Sequence, residues 1–150
     1  MSHYPIIDYS GPSTILYGRK DKIRTFNTVG ESQMKLIIAG RNLSPSLDFI
    51  MSSINMSGVA NITEIVSGAA KGVDSAGENW ANEYSVAIKR FHADWDAHGR
   101  AAGPIRNKEM ARYADRLLLV WNGESRGSLS MKKEMNRLNK PVYEVILRRS

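Results

Sequence analysis

From Met34 onward the chain alternates between two hydrophobic rhythms. Met34–Ala39, with Leu36, Ile37 and Ile38 in succession, reads as a buried strand, and Gly40-Arg41 follows at its C-terminal end. Ser44-Pro45 predicts a helix start, with serine as N-cap and proline at the first helical position. Leu47, Ile50, Met51 and Ile54 form its apolar stripe. A second strand around Ile65 and Val66 runs through the small-residue turn Ser67–Gly72 into another helix. There Val73, Ala76, Trp80, Ala81 and Tyr84 recur on one face. Val86–Phe91 reads as a third strand, followed by the loop His92–Arg100, and Gly103-Pro104 opens a helix to about Ala114. Leu117–Trp121 is unbroken apolar sequence, which predicts a strand buried on both faces. The loop Asn122–Arg126 leads at Gly127-Ser128 into a helix with Met131, Met135 and Leu138 inward, and Val142–Leu147 is the last strand.

Strands alternating with helices predict an α/β fold: a Rossmann-like, doubly wound parallel sheet of about five strands with helices on both faces, over residues 34–150. Residues 1–33 break this rhythm and read as an N-terminal extension or small hairpin, with Thr14–Tyr17 as its only convincing strand.

Composition narrows the function classes. The absence of cysteine removes disulfides and thiolate nucleophiles. No apolar run approaches the roughly 18 residues that span a bilayer, and no signal-peptide core is found, so a cytoplasmic location is expected. The net charge of +6 permits an anionic partner, but the basic residues are dispersed and form no stripe for nucleic acid.

In a doubly wound sheet, ligands bind outside the carboxyl ends of the strands. Most of the unusual residues fall there: Gly40 and Arg41, then Ser67, Gly68, Ala69, Lys71, Gly72 and Asp74, then Trp95, then Trp121, Gly123, Ser125, Gly127 and Ser128, while Arg106 and Asn107 open the helix after Gly103-Pro104, where either could bind phosphate or be solvated. A strand that passes through a glycine turn into a helix presents free backbone N–H groups and the positive end of the helix dipole, which together favour phosphate. Two such turns accommodate two phosphates, or a phosphate and a ribose. Arg41, Lys71 and Arg106 would add charge, Asp74 and Asn107 would orient ribose or base, and Trp95 and Trp121 are candidates for stacking on a base or for the core. The fingerprints GxGxxG and GxxxxGK[ST] are both absent, which argues against a standard dehydrogenase or NTPase. His92, Asp94, Asp96 and His98 alternate without the spacing of metal ligands and read as a solvated loop, and Ser67 and Ser125 lack the partners of a triad. No metal, cofactor or catalytic residue is assigned.

The segments AGR at 39–41, IVSGAAKGVD at 65–74, KRFHADWDAHGRAAGPIRNKEM at 89–110 and WNGESRGS at 121–128 resemble the YspA/YpsA-related branch of the SLOG superfamily. These Rossmann-like proteins are related to the cytokinin-activating LOG phosphoribohydrolases and, more distantly, to the DNA-processing protein DprA. The resemblance covers residues 34–147. It implies a binding protein for a nucleotide-derived small molecule, such as an NAD or ADP-ribose relative or a cyclic nucleotide, acting as a sensor or sequestering protein and pairing through its helices into a homo-oligomer. Two alternatives stay open: a phosphoribohydrolase-like N-glycosidase and a DprA-like single-stranded DNA binder. The LOG pattern PGGxGTxxE places its glutamate where this chain has Met131, so an N-glycosidase would need Glu109 or Glu124 instead.

Overall fold

The computed structural model describes residues 6–9, 33–40 and 43–147. In chain order these form β1 (Ile6–Tyr9), β2 (Lys35–Ala39), α1 (Leu47–Ser57), β3 (Glu64–Ser67), α2 (Val73–Glu83), β4 (Ala87–Arg90), α3 (Trp95–His98), a 3-10 turn (Gly99–Ala101), α4 (Ala102–Tyr113), β5 (Arg116–Trp121), α5 (Arg126–Arg137) and β6 (Val142–Leu147). The strands make one sheet of order β1-β6-β5-β2-β3-β4, and every pairing is parallel. The five expected strands are all present, and the fold is the Rossmann-like α/β arrangement expected from the sequence.

Three local details differ from the sequence reading. Ile6–Tyr9 adds a sixth strand by pairing with β6 at the far end of the chain, a non-local contact that no window of sequence reveals. Thr14–Tyr17 lies outside the described residues. Helix α1 is capped by Ser46 and not by Ser44: the Ser46 hydroxyl accepts from the Phe49 N–H at 3.1 Å, which moves the helix start to Leu47. The segment after β4 is also more ordered than a loop, because Asp94 accepts from the Ala97 N–H at 3.0 Å and starts the single-turn α3.

The parallel sheet divides the core in two, and the strands read out the division residue by residue. Leu36, Ile38, Leu118 and Val120 face α1 and α2, where Ile50, Val73 and Trp80 meet them. Ile37, Leu117, Leu119 and Trp121 face α4 and α5, where Met110, Met131 and Met135 meet them. This two-fold alternation within an unbroken apolar run is the pleat of a strand covered on both sides.

Strand order fixes where a crevice can open. From β2 the chain proceeds outward to β3 and β4, then returns to β2's other flank for β5 and β6. The connections leaving β2 and β5 therefore depart toward opposite faces, and the gap between them is the topological switch point of the sheet. Gly40 is required at its edge. A Cβ there would land on the carbonyl oxygen of Val120 in β5 and within 2.9 Å of Val73.

Candidate functional site

A cavity of about 600 Å³ opens at the carboxyl ends of these strands. The turn after β3, the α3–α4 segment and the start of α5 surround it, and Ala39 and Gly40 at the end of β2 border it.

The turn after β3 is the most elaborately braced part of the site. Ser67, fully buried at the end of β3, donates its hydroxyl to Glu78 at 2.7 Å and accepts from the Ala69 N–H at 3.0 Å. Burial works to raise the Glu78 pKa, but hydrogen bonds from Arg90 and Ser67 outweigh it and leave the carboxyl below its usual range. Ala69 is held at φ 59°, and Gly72, the N-cap of α2, at φ 91°. A Cβ on Gly72 would come within 2.5 Å of the Leu43 carbonyl oxygen, so the position tolerates only glycine. Having no side chain, Gly72 leaves the first turn of α2 without a side-chain cap.

Asp74 lies under this turn, 5% exposed, yet still borders the cavity. Its carboxylate accepts from the Ala70 N–H at 3.2 Å. Burial pushes its pKa up to about 6, against the opposing pull of the Ala70 N–H, the Arg106 charge and the Gly40 N–H. Among the described residues, no other carboxylate borders the cavity. Arg106 and Asn107, consecutive on α4, reach to opposite sides. Arg106 donates to the Gly68 carbonyl at 3.0 Å, and Asn107, 4% exposed, donates to the Gly127 carbonyl at 3.3 Å and to Ser130 at 3.2 Å. One rigid helix thereby ties the turn after β3 to the start of α5.

The turn after β5 is simpler. Asn122 accepts from the Glu124 and Ser125 N–H groups at 2.9 and 3.2 Å, and Ser125 caps α5 by accepting from Ser128 N–H at 3.4 Å. Gly123 holds φ 88° in open space.

Of the residues expected from sequence, Gly40, Gly68, Lys71, Asp74, Trp95, Arg106, Asn107, Gly127 and Ser128 border the cavity. Ser67, Ala69, Gly72, Gly123 and Ser125 instead shape the turns that border it. Trp95 is 59% exposed at the rim, as a stacking surface requires, whereas Trp121 is 5% exposed in the core and donates to Glu144 at 3.2 Å. Arg41 lies outside the described residues. Glu109 and Glu124 are exposed away from the cavity wall. The sequence reading passed over Arg100 and Arg126, both exposed and both on the cavity, along with the apolar floor of Met110 and Met131. Arg126 had a legible signal, since it stands directly before Gly127 at a helix start that follows a strand.

Positive charge and a buried carboxylate acceptor give the cavity the chemistry to hold an anionic ligand bearing hydroxyl donors. Among the described residues, no helix is long and apolar enough to cross a membrane.

No solved structure matches the chain. The Gene 61 protein of Mycobacterium phage D29 is 34% identical to it over 84 residues, a stretch covering 52% of this chain and 67% of the phage protein. A family model, described as the YspA, cpYpsA-related SLOG family, matches residues 35–98, which run from β2 through the turn after β3 to the end of α3. The chain belongs to the YspA, cpYpsA-related SLOG family.

Proposed function

We propose that this protein binds a nucleotide-derived small molecule, of the NAD or ADP-ribose type or a cyclic nucleotide, and acts as a sensor or sequestering protein. Membership of the SLOG family supports a nucleotide-related ligand. The observation that carries the reading is a single cavity at the switch point where Lys71, Arg106 and two glycine-bearing turns meet the exposed ring of Trp95. Phosphate would lie on the turn after β3, with Asp74 accepting from a ribose hydroxyl and Trp95 flanking the base.

A thermal-shift screen against NAD, ADP-ribose, cyclic nucleotides and nucleoside monophosphates tests it. A ligand at about 100 times its dissociation constant adds roughly 2.7 kcal/mol, a readily visible shift. Lys71→Ala is expected to abolish most of that shift without lowering the stability of the free protein, because Lys71 is exposed. A nucleotide screen without any shift refutes the reading. Recovery of free base after incubation would replace it with an N-glycosidase, for which Asp74 is the one carboxylate in place among the described residues. Pairing into a homo-oligomer is also proposed. Ile105 on α4 and Leu129 on α5, exposed at 36% and 39%, supply apolar contacts for it, and sedimentation measurements test it.

A further inference from the structure

Charge is distributed unevenly around the cavity. Lys71, Arg100 and Arg126 all border it, and among the described residues none of the three makes an ion pair or a hydrogen bond through its side chain. The ion pairs between described residues lie elsewhere, at Arg90–Glu78, Lys132–Glu144 and Arg137–Glu134. Arg106 adds a fourth cation beside Asp74, the single carboxylate on the wall among the described residues. Among the described residues, four cations against one carboxylate leave a concave surface with an excess of three positive charges when Asp74 is ionised. Like charges around a concave, partly desolvated surface repel, and a ligand of matching opposite charge relieves that repulsion.

The cations also fall into two groups. Lys71 belongs to the turn after β3, which Arg106 grips through the Gly68 carbonyl. Arg126 opens α5, which Asn107 grips through the Gly127 carbonyl. Because Arg106 and Asn107 are neighbours on one helix, the two anchor points keep a fixed separation. Between them the floor is apolar, with Met110 and Met131, so a charged group gains nothing by descending and belongs at the rim.

A phosphate monoester carries about −1.5 to −2 charges, and a cyclic phosphodiester about −1. Either satisfies one anchor and leaves the other unneutralised. We propose that the preferred ligand is a nucleoside diphosphate, one phosphate at Lys71 and Arg106 and the second at Arg126, with the base toward Trp95. This inference rests on the reading of the cavity as a nucleotide site and selects among its ligands.

Calorimetric titration of the full chain with ADP, AMP, cyclic AMP and inorganic pyrophosphate tests it, in the wild type and in the Lys71→Ala and Arg126→Ala variants. ADP is expected to bind at least about tenfold more tightly than AMP or cyclic AMP, and pyrophosphate alone to compete with it. Arg126→Ala should weaken ADP by about tenfold while leaving AMP within about threefold, and Lys71→Ala should weaken both. Both side chains are exposed, so an unchanged denaturation midpoint will confirm that each variant folds. Equal affinity for AMP and ADP, or an Arg126→Ala loss that is the same for both, overturns the second phosphate site and leaves nucleotide binding intact. Failure of every nucleotide to bind overturns the function proposed above as well.

Discussion

The turns after β3 and β5 both carry glycines and both border the cavity, but different forces hold them. The first is shaped by partners distant in sequence: Arg106 on Gly68, the Leu43 carbonyl against Gly72, and the Ser67–Glu78–Arg90 chain beneath Ala69. The second is shaped mainly by its own residues, with Asn122 and Ser125 bonding to N–H groups two or three positions ahead, and Asn107 on the Gly127 carbonyl is its distant partner. No atom within 4 Å would meet a Cβ on Gly123 or Gly127. Two turns with the same glycine-rich look therefore differ in what their glycines do. In the first, Gly72 makes room for the Leu43 backbone and Gly68 for the Asp74 and Arg106 side chains. In the second, glycine supplies conformational freedom at Gly123 and little at Gly127.

This contrast sets the order of expected effects. Gly72→Ala should be the most damaging change, because the new Cβ meets the Leu43 oxygen at 2.5 Å on a backbone already at φ 91°. A loss of about 3 kcal/mol or more is expected in urea denaturation. A loss below about 1 kcal/mol would show that the first turn can relax as freely as the second.

Asp74 provides the next largest effect, and its sign is defined. Its folded pKa of about 6 lies above the ordinary value of 3.8, so the native state keeps a proton that the unfolded chain releases between those values. The stability this group contributes is fully present below its unfolded pKa and is lost as pH rises through about 6, to a total of about 3 kcal/mol. Denaturation of wild type and Asp74→Asn across that range isolates the effect: relative to the variant, the wild type should lose stability as pH rises. A difference that does not change with pH would mean that the buried carboxyl keeps its ordinary titration.

The second turn should respond more weakly. Ser125→Ala removes the cap of α5 and should cost about 1 kcal/mol, read from the denaturation midpoint. Gly127→Ala should be the mildest, within about 0.5 kcal/mol of neutral, since the position is helical and open. A loss comparable to that of Gly72→Ala would erase the distinction between the turns.

Much of the architecture was legible because it depends on local periodicity. Val73, Ala76, Trp80, Ala81 and Tyr84 are all buried on one face of α2, and Leu117–Trp121 is covered on both sides as its unbroken apolar run implied. Legibility fell wherever two choices were locally equivalent. Ser44 and Ser46 both stand before the helix as eligible caps, and only the geometry of the Phe49 N–H separates them. Trp95 and Trp121 both follow or end strands, and only packing sends one to the rim and the other into the core. Arg100 and Arg126 were overlooked because an exposed arginine carries no mark in sequence of what it faces.

The sequence by itself determined the repeating strand–helix units, the parallel sheet they imply, and the placement of the chemistry-bearing residues at the carboxyl ends of the strands. Those follow from the period of the apolar residues, and period is a local property. Tertiary structure alone decided that β1 joins β6, that β2 and β5 flank the crevice, and that Asp74 is buried while Lys71, Arg100 and Arg126 are left facing one cavity. Burial and charge balance are sums over neighbours brought together by the fold, and no stretch of chain contains its neighbours in advance.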